Sequence, residues 1–298
     1  MTGSTVARPT RGGSGVPEQV DVLLVPLDGS GFSQAAVPVA ARLAARLDAE
    51  IHLFSAVRTA EEVEARDREL AGVVIPGHAV HRTVVVDADP AGAIHAALRK
   101  LDNGVACMAT HGRARSAALV GSVATEVVAR GRDPLILVCP YADVARRTAG
   151  VVACVDDDPA APALARIALG WAGLLGERCT VLTVAEDVAE DVPEPVTGGP
   201  TSRRFGPDGD VRAFLDRLVE PLRAAGHAVD ATVRFDAVSV WGGLYRYLMD
   251  RPATLLVAGT RARTGVPRLV FGSVASSIVR HSESPVLVVP REDAGAER

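Results

Sequence analysis

Lysine is almost missing from this chain: Lys100 is the only one, and the other basic side chains among the 32 are arginines. The shortage excludes a P-loop, because the Gly-x4-Gly-Lys-Ser/Thr motif needs a lysine and Lys100 lies in no such sequence. HExxH, GxSxG and Cys/His metal spacings are also missing, so the chain offers no motif of a zinc protease or an α/β-hydrolase. The net charge of −4 gives no basic surface for nucleic acid or anionic lipid.

Long apolar runs are missing as well. No segment offers the roughly 18 uninterrupted apolar residues of a membrane-spanning helix. Residues 1–19 are rich in Gly, Ser, Thr, Pro and Arg, which predicts a disordered tail rather than a signal peptide. We therefore expect a cytoplasmic protein without a membrane partner. The few cysteines lie in or beside apolar runs and form no CxxC pair, so we predict buried, unpaired thiols at Cys107, Cys139, Cys154 and Cys179.

The informative feature of the sequence is an internal repeat. Residues 121–134 read GSVATEVVARGRDP and residues 272–285 read GSVASSIVRHSESP, and an apolar run follows each proline. Two more pairs of segments recur in the same order, VLLVPLDGS with VVACVDDDP and VACMATHGR with LLVAGTRAR. Three matched blocks in one order indicate a duplication. We predict a tail at residues 1–19, a first domain at 20–141 and a second domain at 149–291.

Within each half, five apolar runs alternate with amphipathic, helix-like stretches. Nearly continuous Val/Ile/Leu runs are typical of strands covered on both faces, that is, of a parallel sheet between helices. We predict an α/β fold with two repeated, doubly wound, Rossmann-like domains of five parallel strands in the order 3-2-1-4-5. The Pro/Gly-rich acidic segment at residues 186–210 is predicted to be a mobile loop.

A ligand site is expected where the strand order reverses, beyond the ends of strands one and four. In the first half Asp28 follows strand one, and Gly121-Ser122 begins the helix after strand four. A helix N-terminus offers unpaired N–H groups to a phosphate, and glycine lets the backbone approach it closely. The Asp28 carboxylate can accept hydrogen bonds from ribose hydroxyls or an adenine amino group. Ligand-free explanations stay open, since Ser122 and Ser273 can be ordinary N-caps and Asp28-Gly29 an ordinary turn.

Taken together, these blocks resemble the universal stress protein family from about Asp21 to Pro290. ATP-binding members carry a proline-x-aspartate near the end of strand one and a Gly-x2-Gly-x9-Gly-Ser/Thr loop after strand four. The resemblance implies an adenine-nucleotide α-hydrolase-like fold and ATP, with Mg²⁺, as the ligand. The implied nucleotide-binding residues are Pro26, Asp28, Gly29, Thr110, Gly112, Gly121, Ser122 and Val123 in the first half, and Asp156, Gly259, Thr260, Arg261, Gly272, Ser273 and Val274 in the second.

Neither half matches the family pattern throughout. In the first half the loop is one residue short, with eight residues between Gly112 and Gly121. The second half keeps the nine-residue spacing, but Ala262 replaces the second glycine. Its strand one ends in Asp156-Asp157-Asp158, three carboxylates that repel a triphosphate unless a divalent ion lies between them. The first half thus keeps the better nucleoside end and the second the better phosphate loop.

Three functions are compatible with these patterns. The first is a non-catalytic adenine-nucleotide binding module in the stress response, whose occupancy changes assembly or partner contacts. The alternatives are a slow ATP hydrolase or adenylate-handling enzyme, and a scaffold whose nucleotide sites are degenerate. We identify no catalytic residue and no metal site. The apolar last strands, LILVC and VLVVP, are expected at a sheet edge. By resemblance they pair the two halves as a pseudo-dimer and pair whole chains as a homodimer.

Overall fold

The structure is a computed structural model that describes residues 17–110, 120–131, 134–140, 142, 148–186, 208–236, 238–260 and 273–290. The first half contains β1 (Val22–Pro26), α1 (Ala36–Leu47), β2 (Glu50–Val57), α2 (Val63–Ala71), β3 (Val80–Val86), α3 (Pro90–Leu98), β4 (Gly104–Ala109), α4 (Ser122–Arg130) and β5 (Leu135–Val138). The second contains β6 (Val151–Cys154), α5 (Ala161–Leu175), β7 (Cys179–Glu186), α6 (Asp208–Ala224), β8 (Val229–Asp236), α7 (Val240–Asp250), β9 (Leu255–Gly259), α8 (Ser273–His281) and β10 (Val286–Val289). All ten predicted strands are present.

The strands form one sheet, in the order β3-β2-β1-β4-β5-β10-β9-β6-β7-β8. Each half therefore has the predicted order 3-2-1-4-5, and every pairing inside a half is parallel. An antiparallel pairing of β5 with β10 joins the two five-stranded halves, as the predicted pseudo-dimer requires. Both strands are short and fully apolar, so pairing them removes two open backbone edges from water.

Helices cover both faces of this sheet. One face packs on α1, α2, α5 and α6, where Leu43 and Trp171 are among the buried side chains. The other face packs on α3, α4, α7 and α8, with Val127 and Leu244 in the core. Residues along a strand alternate between the two faces, so a strand buried on both sides carries apolar residues throughout. This three-layer packing explains why the strand sequences do not alternate with polar residues.

The two halves also meet through side chains beside the sheet. Arg42 of α1 donates to the Thr148 hydroxyl at 2.8 Å, and Arg46 of the same helix pairs with Glu177, which follows α5. At the joint between the halves, that is, where β5 pairs with β10, the Cys139 thiol donates to the carbonyl oxygen of Arg280 at 3.0 Å. The halves are therefore connected by main-chain pairing, by an ion pair and by hydrogen bonds.

The pairing of β5 with β10 bears on the predicted homodimer. Each of these last strands has a neighbour on both edges, β4 and β10 for β5, and β5 and β9 for β10. The last strands thus form the pseudo-dimer within one chain, and their edges are not available to a second chain. A homodimer remains a prediction, and it must use another surface.

Two further properties concern the chain as a whole. Among the helices of the described ranges, none combines the length and the apolarity that crossing a membrane would require. Three of the cysteines are buried, and Cys154 is partly exposed. Burial raises the pKa of the Cys107, Cys154 and Cys179 thiols to about 12, so they stay protonated at neutral pH.

Candidate functional site

The end of β1 is fixed by β2, and the same contacts recur in the second half. Pro26 ends β1 opposite Phe54. The Leu27 N–H donates to the Phe54 carbonyl oxygen at 2.8 Å, and the Ser55 hydroxyl donates to the Leu27 carbonyl oxygen at 2.7 Å. These bonds hold the backbone immediately before Asp28. A buried hydroxyl therefore positions the first residue of the candidate site.

In the second half Val155 takes the place of Leu27. Its N–H donates to the Leu182 carbonyl oxygen at 3.0 Å, and the Thr183 hydroxyl donates to the Val155 carbonyl oxygen at 2.9 Å. Sequence analysis missed both Ser55 and Thr183. The available signal was a hydroxyl residue at the matching place of the second strand in both halves. Asp28 and Asp156 are thus equivalent positions at the ends of equivalent strands.

Asp28 begins a tight turn. Its Oδ1 accepts hydrogen bonds from the Ser30 N–H at 2.9 Å and from the Ser30 hydroxyl at 2.6 Å. Gly29 lies between them with φ of +79°, a conformation that favours glycine. The turn continues to the buried Ser33, whose hydroxyl donates to the Ser30 carbonyl oxygen at 2.9 Å. The predicted turn is therefore present, and it presents the Asp28 carboxylate at the C-terminal edge of the sheet.

The start of α4 is tied to the end of β4. The Gly121 N–H donates to the Thr110 carbonyl oxygen at 2.6 Å, and the buried Thr110 donates its own N–H to Val138 at 2.8 Å. Gly121 is the N-cap of α4, Ser122 is the first helical residue, and no side chain of the described residues caps the helix. The expectation that Ser122 is an N-cap is therefore wrong, because the chain enters the helix one residue earlier. The side chain of Val123 packs toward the core, which leaves its main chain to face a ligand.

Two other helices of the same face, α3 and α7, have the side-chain caps that α4 lacks, whereas in the described part of the chain α1, α2 and α5 on the opposite face also lack one. The Asp89 carboxylate accepts from the Gly92 N–H at 3.1 Å at the start of α3. The Ser239 hydroxyl accepts from the Gly242 N–H at 2.9 Å at the start of α7. Since β1 and β4 are neighbours, the α4 N-terminus lies at the strand end next to that of Asp28. The structure thus brings Asp28 and Gly121 to the predicted switch point.

The second half builds its strand-one turn differently. The Asp158 carboxylate accepts from the Ala160 N–H at 2.9 Å, and the Asp158 N–H donates to the Asp156 carbonyl oxygen at 2.7 Å. One of the three adjacent carboxylates is therefore engaged in closing its own turn, two residues later than in the first half.

The end of β9 carries a buried hydroxyl without a partner. Gly259 is the last residue of β9, and the Thr260 N–H donates to the Val289 carbonyl oxygen at 3.0 Å. Thr260 is 1% exposed, and among the described residues its Oγ1 has no hydrogen-bond partner. A buried polar atom that is left without a bond costs roughly 1–3 kcal/mol. The position is the same as that of Thr110 in the first half.

Of the remaining predicted site residues, the structure describes some and not others. Ser273 begins α8, and Val274 is partly buried against the core. Gly112, Arg261 and Gly272 lie outside the described residues, as does most of the acidic segment 186–210.

One residue at this site belongs to no motif of the sequence. Arg66 of α2 is 8% exposed, and its guanidinium lies against Gly29: a Cβ added to that glycine would be 2.0 Å from Arg66 Nη1. Within the part of the chain that the structure describes, Nη1 has no hydrogen-bond partner, and it lies 3.3 Å from Glu69 Oε2 as an ion pair. No spacing rule places an arginine of an amphipathic helix on a turn some forty residues away, so only the packing of α2 identifies it.

Comparisons with known proteins place the second half of the chain in a family. Residues 150–290 match the model of the universal stress protein family. A universal stress protein of Mycobacterium tuberculosis (strain ATCC 25618 / H37Rv) is 28% identical over 148 residues, which cover 49% of this chain and 48% of the relative. The match thus spans about half the length of that relative.

Solved structures extend the likeness to both halves. A universal stress protein from Archaeoglobus fulgidus DSM 4304 has a TM-score of 0.63 at 19% identity, over 92% of this chain and 100% of that one. A Pseudomonas aeruginosa PAO1 protein has a TM-score of 0.60 at 17% identity, over 92% and 93%. At these identities the likeness shows the shared fold. The domain at residues 150–290 therefore belongs to the universal stress protein family, and the first half of the chain repeats the fold of that domain.

Proposed function

We propose that this universal stress protein binds ATP or a related adenine nucleotide at the C-terminal edge of its sheet. The observation that carries the proposal is the α4 N-terminus, which no side chain caps and which the Gly121–Thr110 bond holds beside the strand end of Asp28. Uncapped N–H groups and the helix dipole favour a phosphate, and a carboxylate at the neighbouring strand end suits a ribose or an amino group.

The side chains present fit such a ligand. In the first half the main-chain N–H groups of Ser122 and Val123 would hold phosphate oxygens, and Asp28 would accept from the nucleoside. In the second half the orphaned Thr260 hydroxyl would donate to a ligand oxygen, which removes the cost of leaving it unpaired. Mg²⁺ accompanying the nucleotide would offset the charge of Asp156 and Asp157 against a triphosphate.

The proposal is one of binding without turnover in the cytoplasm, with occupancy acting on assembly or on a protein partner. In support of this proposal, the groups that would contact the ligand are main-chain amides at the start of a helix and a carboxylate. Such groups hold the phosphates and the nucleoside in place. Slow hydrolysis and a scaffold with degenerate sites are the alternatives that the experiment must separate.

The test begins with the nucleotide that co-purifies. Freshly purified protein is denatured, and the supernatant is analysed by chromatography and mass spectrometry. Stripped protein is then titrated with ATP, with and without Mg²⁺, for the wild type and for Gly121→Val and Gly272→Val. Gly173→Val is the matched control, because Gly173 of α5 has open space around it.

The expected result is a nucleotide that binds the wild type and the Gly173→Val variant, with loss of binding in one or both of the site variants. Steady release of ADP and phosphate from the wild type would instead favour the hydrolase. No bound nucleotide and no titration up to millimolar ATP would overturn the proposal and leave the scaffold.

A further inference from the structure

The buried guanidinium of Arg66 lies on the strand-one turn of the first half. A Cβ added to Gly29 would lie 2.0 Å from Arg66 Nη1 and 2.7 Å from Glu69 Oε2. The charged groups of both side chains of α2 therefore lie against this glycine. Only Arg66 is buried there, since the Glu69 side chain is largely exposed. The cation is therefore held at the site while its counter-ion lies at the solvent boundary.

This arrangement leaves a charged donor unused. An arginine is charged at any physiological pH and offers five N–H donors, and a buried donor without an acceptor is costly. The ion pair with Glu69 balances the charge, but Nη1 makes no hydrogen bond with it. Helix α2 thus brings a strong donor to the turn without supplying the acceptor that a purely structural arginine would have.

The direction of approach indicates which part of a ligand Arg66 would meet. Strand β1 has β4 on one side and β2 on the other. The α4 N-terminus, where a phosphate would bind, is on the β4 side, whereas α2 packs against β2 and β3. Arg66 therefore reaches the turn from the side opposite the phosphate position. A nucleotide spanning the switch point would present its nucleoside end there.

We propose that Arg66 contacts the ligand of the first half, with Nη1 donating to an acceptor atom of the nucleoside: a ring nitrogen or keto oxygen of the base, or a ribose oxygen. The inference rests on the proposed nucleotide-binding function. The guanidinium would determine specificity, because it binds a ligand with a hydrogen-bond acceptor at this position and disfavours a ligand with a donor there. Phosphate oxygens would be held elsewhere, at the start of α4.

The test compares Arg66→Met with Arg68→Met, both in the Gly272→Val background so that the first half is measured. Arg68 lies two residues after Arg66 on α2. Its side chain is exposed, and in the described structure it forms an ion pair only with the exposed Glu64. Dissociation constants are measured for ATP and for adenosine by calorimetry. Circular dichroism and the urea midpoint verify that each variant is folded.

Arg66→Met is expected to raise the dissociation constants of ATP and of adenosine by the same factor, about tenfold or more, because the lost hydrogen bond is to the nucleoside. Gly121→Val should weaken the binding of ATP far more than the binding of adenosine. Arg68→Met should change neither dissociation constant by as much as twofold. A purely structural role for Arg66 would lower the urea midpoint without this ligand pattern.

Two results overturn the inference and leave the proposed function intact. One is unchanged or tighter ATP binding by a folded Arg66→Met variant. The other is ATP binding that Gly272→Val abolishes and Gly121→Val does not affect, because the ligand then occupies the second half alone. Wild-type protein that binds neither ATP nor adenosine overturns both proposals.

Discussion

Ile136 of β5 lies opposite Leu287 of β10, and neither side chain is exposed to solvent. This antiparallel pair lies at the joint between the two halves of the chain. Each residue belongs to a strand that is parallel to its other neighbour, so the joint is the only change of strand direction in the described sheet. Each of the two core layers, one on either face of the sheet, therefore contains residues of both halves, and perturbing either strand affects both halves.

The joint predicts coupled unfolding. Leu287→Ala should lower the free energy of unfolding by about 2–5 kcal/mol, because it leaves a cavity in a fully buried layer. Both halves should still unfold in one transition, measured by urea denaturation with fluorescence and circular dichroism. Val86→Ala is the control, since Val86 ends the outermost strand β3 and is 52% exposed. Two separate transitions in the wild type would contradict the shared core.

Two glycines with the same backbone conformation separate strain from ligand binding. Gly29 has φ of +79° and touches Arg66, whereas Gly77 has φ of +80° and open space around it. Alanine at either position should cost about 1 kcal/mol in backbone strain, measured by the urea midpoint. Only Gly29→Ala should also weaken nucleotide binding, because its methyl group displaces the guanidinium. Equal affinities in the two variants would show that this contact does not reach the ligand.

The N-cap of α3 predicts a pH dependence. Hydrogen bonding from Arg130, and then from the Gly92 N–H, lowers the pKa of the Asp89 carboxyl. A folded-state pKa below the unfolded value of about 3.9 stabilises the protein above that pH, and the stabilisation is lost as the pH falls through the folded pKa.

Asp89→Asn keeps the cap but removes the charge. The variant should be slightly less stable than the wild type at pH 7, and the two should converge near pH 2, measured by urea midpoints. Asp67→Asn, on the exposed face of α2, is the control and should follow the wild type throughout. A difference for Asp89→Asn that persists at pH 2 would contradict the electrostatic explanation.

The cysteines predict an unreactive native state, since three of them are buried and the partly exposed Cys154 has a raised pKa. Because the pKa of the Cys107, Cys154 and Cys179 thiols is about 12, almost none is thiolate at pH 8. Ellman's reagent should leave the native protein unlabelled and should release four equivalents in guanidinium chloride. Rapid labelling of the native protein would show that the sheet opens locally around at least one of these strands.

Sequence alone determined the elements and their places. Strands covered on both faces must be apolar along their whole length, so the ten runs were visible locally, and the repeat assigned them to two equivalent sets. The rules for parallel crossovers leave more than one doubly wound strand order open, and it is the predicted order 3-2-1-4-5 that brings Asp28 and Gly121 to one edge. The first half of the site was therefore predictable before any packing was known.

Tertiary structure decided what depends on partners distant along the chain. An apolar edge strand does not encode whether it pairs with its own duplicate or with another molecule, and only the folded chain shows β5 against β10. The N-cap position of Gly121 depended on its bond to Thr110, and the burial of Arg66 depended on where α2 packs. These features arise from side-chain contacts and hydrogen bonds across the fold, which no local pattern of residues specifies.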